Sequence, residues 1–488
     1  MTPFLVFCVI AGYFLLLMGI SWFTSRKADN ETFFTGNRES PWFLVAFGMV
    51  GATLSGVTFI SVPGEVGSTG WTYLQFVMGN LVGYAVIALV LIPLFYRLKL
   101  ISIYEYLRDR FGENSYLSGS SFFLISQTIA ASFRLFLAAL VLQLAIFDAF
   151  DIPFYITVLT TLLLIWLYTF RGGIKTIVWT DTLQTTFLLV AVVAVSFIII
   201  RELNLSIPEA ISSIAEDDKS RIFEWDWRSD RNFWKTFLAG IFITISMNGL
   251  DQNVMQKNLT CKNKGESQKN MFWFSITFFF STILFLALGI LLYQYAEVNG
   301  IEIPEKTDEL FPMLSLNYFN LFAGIAFLLG IVAAAFSSAD SALTALTTSF
   351  CVDILNIEKK EKEKQGKTRF WVHIGFSVFM FLIIIVFNQI NDSSVVNAVF
   401  KVAGFTYGPL LGLFAFGLLS KRKVTDKWVP VACVLAPILS ILIDFNSEAW
   451  LSGYQFGFEI LLVNAFLTIV GLFILSKKTE SFTKNQVI

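Results

Sequence analysis

A succession of apolar windows, each long enough for a membrane-crossing helix, runs through this chain almost without interruption and leaves few folds open to it. The windows fall near residues 3–23, 42–68, 71–96, 118–148, 153–170, 177–200, 233–256, 270–296, 318–352, 370–389, 394–419, 428–444 and 454–476. In hydrocarbon every backbone N–H and C=O needs a partner inside the protein, so only helices and closed barrels span a membrane; windows of about 20 residues select helices. Composition agrees, with 56% of the 488 residues hydrophobic and only 15% charged. The expected fold class is an all-α polytopic membrane protein with about thirteen transmembrane helices. The first window, Pro3 to Phe23, lacks a basic leader and an obvious small-residue cleavage site, so it reads as a span rather than a signal peptide.

Loop charges give the direction of insertion. Most of the 35 Lys and Arg residues fall in alternate loops, at Arg26 to Arg38, Arg97 to Arg110, Arg171 to Lys175, Lys257 to Lys269, Lys359 to Arg369, Lys421 to Lys427 and the tail from Lys477. The other side holds few, such as Arg201, Arg231 and Lys306. The positive-inside rule then expects a multi-pass protein of the plasma (inner) membrane with its N-terminus outside and its C-terminus cytoplasmic. Arg134 and Lys401 are left as basic residues within spans. A net charge of −1 gives no basic excess for nucleic acid. Cys8, Cys261, Cys351 and Cys433 are scattered, and His373 is the only histidine, so neither a zinc site nor a disulfide framework is indicated. Without a nucleophile and base pair or a phosphate loop, the chain does not read as an enzyme, and no organic cofactor is implied. Its expected partners are the bilayer and a small organic solute, with no obligatory protein partner evident.

Within the ninth window lies Ala333-Ala334-Ala335-Phe336-Ser337-Ser338-Ala339-Asp340-Ser341. At helical spacing Ala334, Ser337, Ser338 and Ser341 share about one face, with Asp340 beside it. Such a face offers oxygens and almost no bulk, which suits a hard monovalent cation. Small residues equally let transmembrane backbones pack closely, so a helix seam is the competing reading. Asp340 favours a site, because an ionisable residue in lipid costs about 3 kcal/mol and is functional by default.

Two windows carry mid-membrane interruptions. The second runs from Gly48 through Gly51, Ser55 and Gly56 to Pro63-Gly64, and the seventh contains Ser246-Met247-Asn248-Gly249. Each opens a set of five windows, 42–201 and 233–420, between an accessory first helix (1–23) and accessory C-terminal helices with a cytoplasmic tail (421–488). Corresponding interruptions in two halves point to an inverted-repeat transporter with a midplane site.

The chain resembles the sodium:solute symporter family over nearly its whole length. Besides Ala334 to Ser338, the likeness rests on Arg171-Gly172-Gly173-Ile174-Lys175-Thr176-Ile177-Val178-Trp179-Thr180-Asp181, on Tyr104-Glu105-Tyr106-Leu107-Arg108-Asp109-Arg110-Phe111-Gly112, and on Gly408-Pro409-Leu410-Leu411-Gly412. The resemblance implies a LeuT-like fold of five plus five inverted helices and sodium as the co-transported ion. It implies a sodium site made by carbonyls of Gly51, Leu54 and Ala334 and hydroxyls of Ser337 and Ser338. Substrate contacts would come from Ser55, Thr58 and Phe59, from Tyr73 and Val77, and from Thr244, Met247 and Asn248. Val57, Thr58 and Val77 leave the polar set of sugar carriers depleted, whereas Arg134 resembles the arginine that meets the substrate carboxylate in sialic acid carriers. Its competing role is pairing with a buried acid of the protein.

Some family members hold a second sodium between an aspartate like Asp181 and hydroxyls after the serine pair. Here two readings stay open: Asp181, Asp340 and Ser341 form a more anionic second sodium site, or Lys401 bridges to Asp340 and substitutes for the ion. The expected function is a sodium-coupled symporter importing a small, carboxylate-bearing organic solute by alternating access. A symporter of sugars or other neutral solutes, a proton-coupled carrier using Asp181 or Asp340, and a solute-sensing membrane receptor are the alternatives.

Overall fold

The computed structural model describes residues 3–25, 30–169, 173–359, 361–390 and 395–477. Arg26, Lys27, Arg171, Gly172 and the tail from residue 478 lie outside them. The principal helices are α1 (Pro3–Ser25), α2 (Trp42–Thr69), α3 (Tyr73–Val86), α4 (Glu113–Leu142), α5 (Phe154–Thr169), α6 (Gly173–Glu202), α7 (Phe233–Thr244), α8 (Gln252–Asn258), α9 (Lys264–Val298), α10 (Leu321–Ser349), α11 (Lys362–Ile390), α12 (Val395–Thr406), α13 (Gly408–Leu419), α14 (Val429–Phe445) and α15 (Ile460–Ile474). A two-residue antiparallel pair, Lys423–Val424 with Ser476–Lys477, ties the chain after α13 to the chain after α15. Each of the thirteen apolar windows contains a helix. By length and hydropathy alone, eight stretches of the described residues could cross a membrane, or ten if the bent pairs α7/α8 and α12/α13 are each one span. α5 and α15 are shorter apolar helices, and one of the eight stretches, Trp42–Leu98, contains both α2 and α3.

α10 is the axis of the molecule. It packs against α6, α2 and α4, and residues 330–349 are buried without exception. A helix that is apolar or small on every side can be covered all round, and the Ala and Ser run lets its neighbours come close. A second seam joins α3 to α7: a Cβ on Gly79 would fall 2.1 Å from the Phe237 carbonyl oxygen, and one on Gly240 would fall 2.2 Å from that of Phe76. Any side chain there would push α7 off α3, so these glycines hold the two helices that face each other across the centre.

Both expected interruptions are real breaks, of different kinds. In α2 a single residue, Ser55, leaves the helical region with φ 47° and ψ 173°, and helix resumes at Gly56. Further along, Pro63 sits inside the C-terminal half of α2, and the Tyr293 hydroxyl donates to the neighbouring Gly64 carbonyl at 2.6 Å. In the second half, α7 widens into a π turn at Ile245–Gly249, and α8 then departs at 69°. Asp251 caps α8, its carboxylate accepting from the Asn253 N–H at 2.8 Å.

Candidate functional site

The two breaks flank a central cavity of about 90 Å³. Its wall takes Thr53, Ser55 and Thr58 from α2, Tyr73, Phe76 and Asn80 from α3, Gln127 and Arg134 from α4, and Thr244, Met247, Asn248, Asp251, Asn253 and Lys257 from the broken α7/α8 segment. Tyr73 and Phe76 also line an outer cavity of about 270 Å³ beside Arg231, Asn397, Lys401 and Asp444, so these two rings are the partition. Phe76 lies 5.0 Å from Phe400, and Phe400 lies 4.9 Å from Phe458, which makes the partition an aromatic cluster.

Successive polar residues of α10 reach three different helices, because each step along a helix turns by about 100°. Ser337 donates to Asp181 Oδ1 on α6 at 2.6 Å. Ser338 accepts from Arg134 Nη1 on α4 at 3.4 Å. Asp340 accepts from the Tyr168 hydroxyl on α5 at 2.8 Å and from its neighbour Ser341 at 3.1 Å. The second Asp181 oxygen, Oδ2, lies 2.6 Å from Lys257 Nζ, in an ion pair with side chains 3% and 1% exposed. A hydroxyl that gives its hydrogen to a carboxylate turns its lone pairs elsewhere, so Asp181 sets Ser337 up as an acceptor for a cation.

The N-terminal half of α2 is pinned to the same place. The Gly51 N–H donates to Thr185 Oγ1 at 3.0 Å, and that hydroxyl donates to the Asp181 carbonyl at 2.8 Å. A Cβ at Gly51 would stand 2.3 Å from Thr185 Oγ1, so only glycine permits the approach. Helix ends leave their last carbonyls without a following N–H, and with the break at Ser55 that turn includes Gly51 and Leu54. Freed carbonyls at this depth are tolerated where they line a cavity or meet an ion.

Arg134 carries charge into the wall. Among the described residues its one hydrogen bond is the long one to Ser338, which leaves most of its donor fork facing the cavity. Two buried amide atoms in the same wall, Gln127 Nε2 and Asn253 Oδ1, have no hydrogen-bond partner among the described residues. Asp251 completes the wall, accepting from the Tyr407 hydroxyl at 2.5 Å.

A family model described as the sodium:solute symporter family matches residues 33–427. The chain belongs to this family. It is accordingly a sodium-coupled membrane symporter with sodium as its coupling ion. Among its relatives are the sodium/sialic acid symporter SiaT of Proteus mirabilis, 27% identical over 90% of this chain and 89% of the relative, and the sodium-coupled monocarboxylate transporter 1 of Mus musculus, 25% identical over 91% and 72%. A solved Na+-coupled sialic acid symporter, in a substrate-bound outward-open state reported to reveal a novel Na+ site, superposes with a TM-score of 0.81 at 23% identity, covering 97% of this chain and 99% of that one. A nucleobase-cation-symport-1 family transporter in a closed conformation superposes at 0.54, with 12% identity over 91% and 94%. The fold of this symporter is LeuT-like.

Of the residues anticipated for substrate, Ser55, Thr58, Tyr73, Arg134, Thr244, Met247 and Asn248 all reach the cavity. Phe59 does not: it is fully buried among Phe285, Phe311 and Phe327, on the side of α2 away from the cavity wall. One residue past Thr58 is a turn of about 100°, enough to move a side chain from the cavity to the core. Val77 is likewise buried off the wall, and Phe76 takes its place.

The bridge from Lys401 to Asp340 is corrected by the geometry. Lys401 is 64% exposed and pairs with Asp444 at 3.6 Å in the outer cavity, while Asp340 is satisfied by Tyr168 and Ser341. The lysine buried beside Asp181 is Lys257, which the seventh apolar window missed by one residue and which loop counting treated as solvated. Asp251 and Asn253 lie inside that window but after the break, and no role was read for them. The signal available for them was the Asp251-Gln252-Asn253 sequence following Gly249, a capping pattern that marks a fresh helix start inside the membrane.

Proposed function

We propose that this symporter imports a small organic solute bearing a carboxylate, which Arg134 holds in the central cavity while sodium sits between Gly51, Leu54, Ala334, Ser337 and Ser338. One observation carries the reading: Arg134, in the cavity wall, hydrogen-bonds Ser338 on α10. Anion and cation are then bound one side chain apart. Sodium on Ser338 and the Arg134 guanidinium share one hydroxyl oxygen and repel each other, and a carboxylate on Arg134 offsets that repulsion by adding negative charge beside the ion. Each ligand favours the other, which is the coupling a symporter needs. Relatives that carry sialic acid and monocarboxylates support an acid as the cargo. Ser55, Thr58, Tyr73, Thr244, Met247 and Asn248 complete the substrate shell, with Gln127 and Asn253 supplying an unused donor and acceptor.

The energetics are sufficient. One sodium moving inward through about 100 mV gains about 2.3 kcal/mol, and a tenfold sodium gradient adds about 1.4 kcal/mol. One helix bundle rocks against the other between outward and inward access. The N-terminus lies outside and the C-terminus in the cytoplasm of the plasma membrane, in keeping with the loop charges. Transport, with no chemical conversion of the solute, is the activity. Thermal stabilisation of the purified protein by sialic acid, short monocarboxylates, amino acids and sugars, in sodium or in potassium, tests the reading. An acid stabilises wild type in sodium only and fails on Arg134→Ala; equal stabilisation by a neutral sugar in both proteins overturns it.

A further inference from the structure

The ion pair between Lys257 and Asp181 is the most deeply buried one among the described residues, and it ends on the proposed sodium site. The connection runs from Lys257 Nζ to Asp181 Oδ2 at 2.6 Å, and from Asp181 Oδ1 to Ser337 Oγ at 2.6 Å. Both oxygens of Asp181 are therefore engaged. Three residues along α10 from Ser337, one turn of helix, stands Asp340, whose oxygens are engaged by the neutral hydroxyls of Tyr168 and Ser341.

Charge decides what such a cluster can take. The carboxylates of Asp181, Asp340 and Asp251, set against the cations of Lys257 and Arg134, leave a single negative charge, and one sodium at the serine pair neutralises it. A second sodium beside Asp181 would meet the ammonium at contact distance and would leave the cluster with excess positive charge in a place shielded from water. We propose that the Lys257 ammonium is a built-in cation that takes the place of a second sodium ion beside Asp181, so that the symporter binds one sodium per cycle. The proposal rests on the sodium-site reading given above.

The tether also has a direction. Lys257 is carried by α8, the segment beyond the second break, whereas Asp181 and Ser337 belong to α6 and α10. A free sodium would have to be released with each cycle. The ammonium instead stays on its stem, and it lets go of Asp181 only when α8 swings from α6. Because Lys257 also lines the central cavity, the residue that fixes the ion count stands in view of the solute.

Equilibrium binding of radioactive sodium to the purified, substrate-free protein tests this, with potassium keeping the ionic strength constant. Wild type and Lys257→Arg bind one sodium per chain. Lys257→Met exposes Asp181 and binds two, and Lys257→Met with Asp181→Asn returns to one. Two ions in wild type overturn the proposal, as does a single ion in a folded Lys257→Met protein. If Lys257→Met does not fold, the counts for wild type and Lys257→Arg decide alone, one supporting and two overturning. Absence of saturable sodium binding in wild type removes the sodium site itself, and this proposal with it, so the two failures are distinct.

Discussion

The two broken helices meet at the same cavity but present opposite ends of the peptide dipole, and they are finished differently. The N-terminal half of α2 ends at Ser55, and a helix end presents carbonyls, a cation's partners. α8 begins beyond the second break and offers N–H groups, an anion's partners, but Asp251 has already taken that end by accepting from the Asn253 N–H. On the proposed reading backbone serves sodium, while recognition of an anionic solute passes to a side chain, Arg134. A helix start that caps itself with a carboxylate repels a second one, so the contrast makes unequal demands on the two halves of the site.

The largest effect expected from that contrast is at Arg134. Arg134→Ala should lower sodium-driven uptake of a carboxylated solute into proteoliposomes by roughly a hundredfold, on the scale of about 3 kcal/mol for truncating one partner of a desolvated charge pair. Asp251→Asn, which keeps an oxygen for the Asn253 N–H and a partner for Tyr407, should cost only about 1 kcal/mol. Equal losses from the two would break the comparison, since the end of α8 would then be sharing the anion.

Ser337→Ala comes next. It removes one sodium ligand and the donor to Asp181, and should weaken sodium affinity roughly tenfold to a hundredfold, as for hydrogen bonds to charged groups. Sodium titration of protein thermal stability reads this directly. The backbone of the first break offers a smaller handle. With φ at 47° and ψ at 173°, Ser55 occupies a region natural to glycine and costly to other residues by about 1–3 kcal/mol. Ser55→Gly should therefore raise the unfolding temperature in detergent and Ser55→Val should lower it, opposite signs that distinguish a genuine break from a continuous helix.

How much of this was legible in the sequence follows from what sequence patterns record. The apolar windows and the Gly-rich and Ser-Met-Asn-Gly interruptions located the helices and both breaks, because membrane length and loss of helix formers are local properties. The Ser337-Ser338 pair and Arg134 were visible as polar groups at apolar depth. Lys257 and Asp251 were not, because they follow the second break, where the chain turns by 69° and hydropathy no longer says which side chain faces water. Phe59 entered with Thr58 by resemblance, and one residue of helical phase beyond Thr58 moves a ring from cavity to core. The partner of a buried charge is a tertiary fact, and placing Lys401 opposite Asp340 from the sequence could not reveal that Lys257 pairs with Asp181.

The connection between α9 and α10 supplies a smaller effect. Asp308, between α9 and α10, accepts from the Val395 N–H at 2.9 Å and so holds the start of α12. Burial, with Glu65 and Glu309 nearby, raises its carboxyl to about 6. The folded arrangement then binds that proton more tightly than the unfolded chain, so its contribution to stability grows as pH falls through 6 and is lost as pH rises. Unfolding temperature should increase modestly from pH 7.5 to 5.5 in wild type and flatten in Asp308→Asn.

Lys401 should matter least, and for that reason it sharpens the contrast with Lys257 best. Both are lysines paired with an aspartate, yet Lys257 is held at 2.6 Å with almost no exposure, while Lys401 stands 3.6 Å from Asp444 with 64% of its side chain open to the outer cavity. Water screens the second pair and side-chain entropy opposes it, so it is worth less than about 1 kcal/mol. Lys401→Ala should leave sodium affinity and the number of sodium ions bound unchanged. Its remaining influence is electrostatic steering of an anion toward Tyr73 and Phe76, which would appear as a small rise in KM at low ionic strength and vanish in salt. A change in sodium count on losing Lys401 would mean that the outer lysine reaches the ion cluster, and the division between a screened outer pair and a buried inner one would fail.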